Sequence, residues 1–167
     1  INPGRFGGGL TGIPFTDPIN LQETCGIKNN IDKRHELSSK FIYEMIEALG
    51  GVENFYNNMY VTAVSPLGFV KDGKNLNYYG IPELAEKWES FIVQTLQEQA
   101  EFCKNMSVCY SLGQGKNFKF LQRINADYQI FDQVRALPHP RWIMQYRLKR
   151  KDEFISVYEK ALREYLV

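Results

Sequence analysis

The sequence is poor in the residues that bind metals or form crosslinks: its 167 residues include only three cysteines and two histidines. Cys25, Cys103 and Cys109 show no C-x-x-C spacing, which argues against a zinc site, an iron–sulfur cluster and a disulfide framework. Unpaired cysteines are typical of a reducing compartment, so we expect a cytoplasmic protein. We expect neither a bound metal ion nor a cofactor.

Long hydrophobic runs and a large net charge are also missing. No apolar stretch approaches the roughly 20 residues that a membrane-spanning helix needs, which argues against an integral membrane protein. The net charge is +1, so no overall field draws the chain toward nucleic acid. Because 44% of the residues are hydrophobic, the chain can bury a proper core, and we expect a single domain over residues 1–167.

Charge is distributed unevenly along this nearly neutral chain. The stretch from residue 141 to 151 contains five cations and no acid: Arg141, Arg147, Lys149, Arg150 and Lys151. Glutamates cluster instead in one predicted helix, at Glu83, Glu86, Glu89, Glu98 and Glu101. Because a charge run is most often just solvated surface, the basic stretch alone is weak evidence for a polyanionic partner.

Glycine and proline are concentrated in one place, residues 1–18, which hold five glycines and three prolines. Such a segment cannot form a regular helix or a central strand, and its backbone can approach a ligand closely. We expect a binding loop that presents Asn2, Phe6 and Phe15. The alternative, a disordered tail, is disfavoured because such tails seldom combine prolines with Ile13 and Phe15.

Hydrophobic periodicity predicts an alternation of helices and strands after this loop. We expect helices at about residues 38–49, 82–103, 116–125 and 152–166, a helical turn at 18–23, and strands at 59–64, 107–112 and 133–137. A further strand is expected to end at Ile1, with most of it and an upstream segment outside the sequence given. This alternation favours a three-layer α/β/α sandwich around a mainly parallel, four-stranded sheet.

Loops rich in glycine, proline or polar residues follow the predicted strands. They are the glycine-rich loop, Ser65-Pro66-Leu67, Gly113-Gln114-Gly115 and Pro138-His139-Pro140. Ligands of open parallel sheets bind at the carboxyl ends of the strands, so we expect these loops to form one site. The loops match neither a P-loop nor a dinucleotide-binding fingerprint, and no nucleophilic triad is recognisable.

The chemistry left to this site depends on Asn2, His139 and aromatic rings. Phe15, and with a weaker claim Phe6, could stack on a planar ring. Asn2 could hold a water molecule or read a polar edge. His139, fixed between two prolines, could donate a hydrogen bond to charge that develops on a leaving group. The alternative for His139 is a turn histidine without a chemical role.

Several segments resemble the SMUG-type uracil-DNA glycosylases (single-strand-selective monofunctional type), in the order that this family has them. Asn2-Pro3-Gly4-x-Phe6-Gly7 with Thr11-Gly12-Ile13-Pro14-Phe15 is similar to motif I of the family, and His139-Pro140-Arg141 is similar to motif II. Two intermediate segments also resemble the family: Ser65-Pro66-Leu67 with Gly73-Lys74-Asn75-Leu76, and Leu112-Gly113-x-Gly115. The nearest resemblance is to the bacterial second SMUG subfamily, through I-N-P-G-R-F-G and H-P-R-x-I-M-Q-Y.

This resemblance implies a monomeric, monofunctional enzyme that flips uracil or another deaminated base out of DNA and hydrolyses its glycosidic bond. Asn2 would position the water, and His139 would stabilise the departing base. Phe15 would stack on the base beside Phe6, and Gly4 would let the backbone approach it. The DNA contacts, including a wedge among the first four residues, would come from Arg141, Trp142, Ile143, Met144, Arg147, Lys149 and Arg150.

One position departs from the family. The asparagine that reads uracil falls on Ala63, whose side chain cannot hydrogen-bond a pyrimidine edge, so strict uracil specificity is not implied. Backbone groups or Asn75 could substitute for it, and Ser65 and Asn117 are further polar candidates. Motif II is also shorter than in the first subfamily, so the wedge could differ in shape and in preferred substrate.

Two other functions stay open. Ala63 is compatible with a DNA-binding or damage-sensing module that releases no base. A hydrolase of free nucleotides or nucleosides also fits the pocket, but it would leave the basic stretch without a role. No lysine is placed convincingly for Schiff-base chemistry, so a lyase step is not expected. Asp17 precedes a proline and is expected to cap a turn rather than to take part in catalysis.

Overall fold

The computed structural model describes residues 7–166 and divides into two compact units. One unit consists of Thr62–Leu137, and the other of residues 7–61 together with residues 138–166. Asn2, Gly4, Phe6 and the strand end expected at Ile1 lie outside the described residues.

The described residues form eight α-helices and four short strands, separated by loops and short 3₁₀ turns. In chain order they are α1 (Gly8–Thr11), α2 (Pro18–Glu23), α3 (Leu37–Ala48), α4 (Gly51–Asn58), β1 (Phe69–Lys71), β2 (Lys74–Leu76), α5 (Pro82–Ala100), β3 (Val108–Leu112), α6 (Lys116–Tyr128), β4 (Gln133–Leu137), α7 (Pro140–Tyr146) and α8 (Lys151–Leu162). The 3₁₀ turns are Tyr78–Gly80, Leu148–Arg150 and Arg163–Tyr165. Within residues 7–166, no helix is both long enough and apolar enough to span a bilayer.

The unit formed by residues 7–61 and 138–166, the helical unit, is built around α3. This helix places Phe41, Ile42, Met45 and Ile46 at helical spacing, and all four side chains are buried. Helix α7 packs against α3, and α8 packs against both. The ring of Tyr158 on α8 meets the Phe41 ring edge to face, with the centroids 5.2 Å apart.

The other unit contains a parallel strand pair. β3 and β4 run side by side, with Val108 opposite Gln133 and Leu112 opposite Leu137. Helix α6 makes the crossover between them, as parallel strands require. Buried side chains from α5, α6 and the 3₁₀ turn Tyr78–Gly80 form the core of this unit. They are Tyr78, Ile92, Val93, Leu96, Phe120, Leu121 and Ile124. β1 and β2 form an antiparallel hairpin whose turn residues, Asp72 and Gly73, both have positive φ.

The central four-stranded sheet expected from the sequence is not confirmed. In the part of the chain that the structure describes, the parallel sheet contains only β3 and β4. Residues 59–64, predicted as a strand, form neither a helix nor a strand, and most of them are half-buried. A strand requires a hydrogen-bonded neighbour, and the apolar, β-branched composition of a segment does not supply one.

Three helices were also not expected. α1 forms a single turn inside the glycine-rich loop, α4 starts at Gly51, where the sequence indicates only a helix end, and α7 occupies the stretch after His139. α7 has a local signal, because Pro140 stands at its first position, where proline is favoured.

Candidate active site

Phe15 has an unusual backbone conformation. Its φ is 55°, in the left-handed region that residues with a Cβ rarely adopt. Such strain persists only where the surroundings impose it, and it is most common at functional sites. The glycine-rich loop therefore presents the Phe15 side chain at an energetic cost, which other contacts must offset.

Hydroxyl groups on both sides of Phe15 hold its backbone in place. Thr11 Oγ1 donates to the carbonyl of Thr16 at 2.7 Å, and the Thr16 amide donates to the carbonyl of Ile13 at 3.2 Å. Thr16 is fully buried, and its own hydroxyl lies 2.9 Å from the hydroxyl of Tyr43 on α3. The conformation of Phe15 is thus tied to the core of the helical unit.

Asp17 is buried and caps α2, as expected from the sequence. Its Oδ1 accepts hydrogen bonds from the amides of Ile19 and Asn20 at 3.1 and 2.8 Å. Its Oδ2 accepts the amide of Glu36 at 3.0 Å, and its own amide donates to Ser39 Oγ at 3.0 Å. With its oxygens occupied in this way, Asp17 connects the loop to the start of α3.

His139 caps α7 with its side chain. Its Nδ1 accepts the Arg141 amide at 3.0 Å, so in the neutral ring the hydrogen resides on Nε2. Burial, with a contribution from the positive charge of Arg141, lowers the pKa of His139 to about 4. At neutral pH the side chain is therefore an uncharged imidazole whose Nε2–H is a hydrogen-bond donor.

The residues next to His139 are fixed by packing. Tyr158 is fully buried, and its hydroxyl donates to the carbonyl of Pro138 at 2.5 Å. Pro140 is also buried and sets the first turn of α7. The imidazole therefore projects from a rigid segment, which is what positioning a catalytic group requires.

The structure brings Phe15 and His139 together. Their ring centroids lie 6.5 Å apart at an interplanar angle of 63°, and both side chains are half-buried. One aromatic face and one neutral N–H donor thus adjoin the same space. This arrangement can hold a planar ring by stacking while a donor approaches its edge.

The basic stretch after His139 has one buried and one exposed side. Ile143 and Met144 are buried in the helical unit, which occupies their side chains in packing. Arg141, Trp142, Arg147, Lys149 and Arg150 are exposed. The Trp142 ring is nonetheless held in place, since Phe154 meets it edge to face at 5.8 Å and the Arg147 guanidinium lies 4.9 Å from its centroid.

The remaining candidate residues lie in the other unit. Ala63 is half-buried in an irregular segment, and Asn75 is exposed on β2. Ser65 is fully buried, and its hydroxyl donates to the carbonyl of Leu67 at 2.8 Å and accepts from Trp88 Nε1 at 3.2 Å. Asn117 accepts a hydrogen bond from the Tyr78 hydroxyl at 2.7 Å. The side chains of Ser65 and Asn117 thus already have structural partners.

Glu36 is a residue near the glycine-rich loop that sequence patterns do not single out. Its carboxylate lies against Gly7: a methyl group added at Gly7 would be 1.9 Å from Glu36 Oε2. Burial is the main cause that raises the pKa of Glu36, Arg141 opposes the shift, and Asp17 adds to it. Glu36 is thus a second acid near the glycine-rich loop, beside Asp17. Glu36 stands in a polar segment without periodicity, so only the folded structure reveals its position.

These features define an α/β enzyme site with a neutral histidine donor beside an aromatic ring, and comparison with known proteins identifies its class. A model of the uracil DNA glycosylase superfamily matches residues 1–163. The chain belongs to this superfamily and has its fold. It is a DNA glycosylase, a hydrolase of the uracil-DNA glycosylase type.

A solved structure gives a more particular relative. The crystal structure of wild-type SMUG2 from Pedobacter heparinus is similar to this chain with a TM-score of 0.91 and 44% sequence identity. The match covers 98% of this chain and 72% of that one. The resemblance to the SMUG-type enzymes is thereby confirmed. No significant match was found among the curated proteins.

Proposed function

We propose that this chain is a monofunctional DNA glycosylase of base excision repair that removes uracil and other deaminated bases. The observation that carries the proposal is the state of His139, an uncharged imidazole that keeps its hydrogen on Nε2. Cleavage of the glycosidic bond leaves negative charge on the departing base. A fixed, neutral N–H donor at that charge stabilises the transition state by hydrogen bonding, without transfer of its proton to the base.

The proposed reaction begins with extrusion of the base from the DNA stack. The base stacks on Phe15, with Gly4 and Phe6 on the same loop beside it. As the bond between C1′ and the base nitrogen breaks, its electron pair moves onto the base, and Nε2–H of His139 donates to a carbonyl oxygen. Asn2 holds the water whose oxygen adds to C1′, and the proton that this water loses passes through solvent to the anion of the departed base.

We propose that different residues of the basic stretch insert into the duplex, pack inside the protein and contact phosphates. Arg141 and Trp142 are exposed and are the candidates for the wedge, whereas Ile143 and Met144 support the helix from within. Arg147, Lys149 and Arg150 neutralise backbone phosphates. Arg150 already pairs with Glu153 at 2.8 Å, so part of its charge is compensated.

Base selection is the least constrained step. Ala63 offers no hydrogen bond to a pyrimidine edge, and the hydroxyl of Ser65 is occupied, so we propose that backbone groups or Asn75 read the base. A site that lacks a dedicated amide discriminates weakly between uracil and related deaminated bases. We further propose that the protein acts as a cytoplasmic monomer and that its parallel strands belong to the larger central sheet expected from the sequence.

Base release from DNA tests the proposed function. Single- and double-stranded oligonucleotides that carry uracil, hypoxanthine or xanthine at one position are incubated with the protein and then treated with alkali. We expect a strand break at the uracil position with the wild-type protein and a loss of roughly ten- to ten-thousand-fold in rate for Asn2→Ala. No break with any of these bases would overturn the proposal, and an unchanged rate for Asn2→Ala would remove Asn2 from the mechanism.

A further inference from the structure

Glu36 is an acid to which no role in this reaction has been assigned. It is the N-cap residue of α3, but its side chain makes no capping hydrogen bond to the helix. Instead it turns toward Gly7, where Oε2 and Cδ would lie 1.9 and 3.0 Å from an added methyl group. The absence of a side chain at Gly7 thus provides the space that the carboxylate occupies.

Two charged groups, Arg141 and Asp17, act on this carboxylate, and one titratable group, His35, lies beside Asp17. Arg141, on α7, attracts the ionised form, while Asp17, at the start of α2, repels it. His35 precedes Glu36 and is exposed, with Nδ1 3.8 Å from Asp17 Oδ2. The amide of Glu36 donates to Asp17 at 3.0 Å. The main chain of Glu36 is therefore fixed, and its carboxylate is attracted electrostatically by Arg141.

The neighbours of Glu36 stand close in the sequence to both proposed catalytic residues. Gly7 directly follows the segment that carries Asn2. The amide of Arg141 is the donor that holds His139 Nδ1 and so fixes the hydrogen on Nε2. A carboxylate that packs against Gly7 and attracts Arg141 is therefore suited to influence both segments.

We propose that the Glu36 carboxylate is a positioning residue of this enzyme, which holds the start of the glycine-rich loop and the first turn of α7 in fixed relation to each other. The inference rests on the proposed function, since it concerns the alignment of Asn2 and His139. It assigns Glu36 no contact with DNA. The negative charge matters because it attracts Arg141, so an amide of the same shape does not replace it.

The test compares Glu36→Gln with Glu36→Ala, and Glu47→Gln serves as the control because Glu47 is an exposed acid on the same helix, α3. The first readout is amide hydrogen exchange in the free protein. We expect faster exchange in residues 7–13 and 140–142 for both Glu36 variants and wild-type exchange for the control. Unchanged exchange in both variants overturns the proposal whether or not the protein cleaves DNA.

The second readout is the single-turnover rate of uracil release between pH 5 and 8. We expect both Glu36 variants to be roughly tenfold slower at pH 7, with affinity for an uncleavable substrate analogue changed by less than about twofold. The wild-type rate should fall as the pH approaches the raised pKa of Glu36, and this fall should be missing in Glu36→Gln.

Distinct results contradict the two proposals. A wild-type rate and profile in Glu36→Gln, or a loss confined to DNA affinity, would show that the charge of Glu36 does not position the catalytic groups. A wild-type protein that releases no base would instead overturn the proposed function, and hydrogen exchange would still decide whether Glu36 holds the loop.

Discussion

At the scale of single residues, the chemistry depends on how His139 is held. The Arg141 amide donates a hydrogen bond to Nδ1 and so orients the ring. The Tyr158 hydroxyl donates to the carbonyl of Pro138 and so fixes the main chain before His139. Tyr158 is fully buried and touches no proposed substrate group. It is therefore a residue through which the position of His139 can be changed without changing the imidazole.

Replacement of Tyr158 by Phe should slow base release while it leaves the fold intact. The variant keeps the ring that packs on Phe41 but removes the donor to Pro138, so a buried carbonyl is left unsatisfied. We expect a loss of about 1–3 kcal/mol in the free energy of unfolding and a lower kcat with little change in KM. Urea denaturation and steady-state kinetics measure the two effects. A kcat equal to that of the wild type would separate Tyr158 from the placement of His139.

Glu36 and Phe15 show what sequence can and cannot reveal about residues. Phe15 is recognisable because it stands in a glycine-rich motif, but its positive φ depends on Thr11, Thr16 and Tyr43, of which Tyr43 is distant in the chain. Glu36 has no local signal, because its position against Gly7 results from the packing of the loop on α3. Local pattern indicates which side chain carries chemistry, and tertiary contacts determine its environment.

At the scale of elements, α7 combines a buried side with an exposed side that we propose contacts DNA. Its buried side holds Ile143 and Met144, and its exposed side carries Arg141 and Trp142. A wedge that projects from a short helix is held more firmly than one on a loop. The helix starts at Pro140 immediately after His139, so the proposed hydrogen-bond donor and the proposed wedge share one rigid segment.

Alanine substitutions on the two sides of α7 should have opposite consequences. Ile143→Ala leaves a cavity in the core and is expected to lower the free energy of unfolding by about 2–5 kcal/mol. Trp142→Ala should change stability much less, because the ring is 40% exposed, but it should weaken cleavage of double-stranded substrate, in which the base must be extruded. Thermal unfolding and cleavage assays on both substrates distinguish the variants. If Trp142→Ala cleaves duplex substrate as the wild type does, Trp142 is not the wedge.

Elements with strong local signals agree with the sequence prediction. α2 occupies Pro18–Glu23 and β4 occupies Gln133–Leu137 as expected, because Asp17 caps the first and turn residues bound the second. The prediction of a strand at residues 59–64 was wrong, because no sequence pattern shows whether an apolar segment will pair with a neighbouring strand. Gly50 and Gly51 have φ of 98° and 88°, and a new helix begins at once after the first ends, which glycines alone do not indicate.

At the scale of the whole molecule, the titration of His139 couples catalysis to stability. The folded protein keeps this imidazole neutral down to a pKa of about 4, whereas in the unfolded chain the ordinary value is 6.5. Between these values the unfolded chain binds more protons than the folded one, so stability falls as the pH is lowered from 7 toward 4. Glu36, whose pKa is raised in the folded protein, acts in the opposite direction.

The comparison of wild type with His139→Asn isolates this contribution. For the wild type, the His139 contribution to the free energy of unfolding should be about 2 kcal/mol smaller at pH 5 than at pH 7. In His139→Asn that component disappears, so its stability should decline less over the same range. Urea denaturation at both pH values measures it. If the free energy of unfolding fell equally in the two proteins, the pKa of His139 would not be lowered in the folded protein.

We propose that His139 stabilises negative charge on the departing base. Varying the leaving group tests this role. Single-turnover release of uracil and of the more acidic base 5-fluorouracil is measured for the wild type, for His139→Ala and for the control His35→Ala. We expect His139→Ala to slow uracil release by roughly 100- to 1,000-fold and 5-fluorouracil release by clearly less, because the better leaving group needs the donor less. His35→Ala should match the wild type, since that side chain is exposed. If His139→Ala slowed the release of both bases equally, or slowed neither, His139 would not be the donor to the departing base.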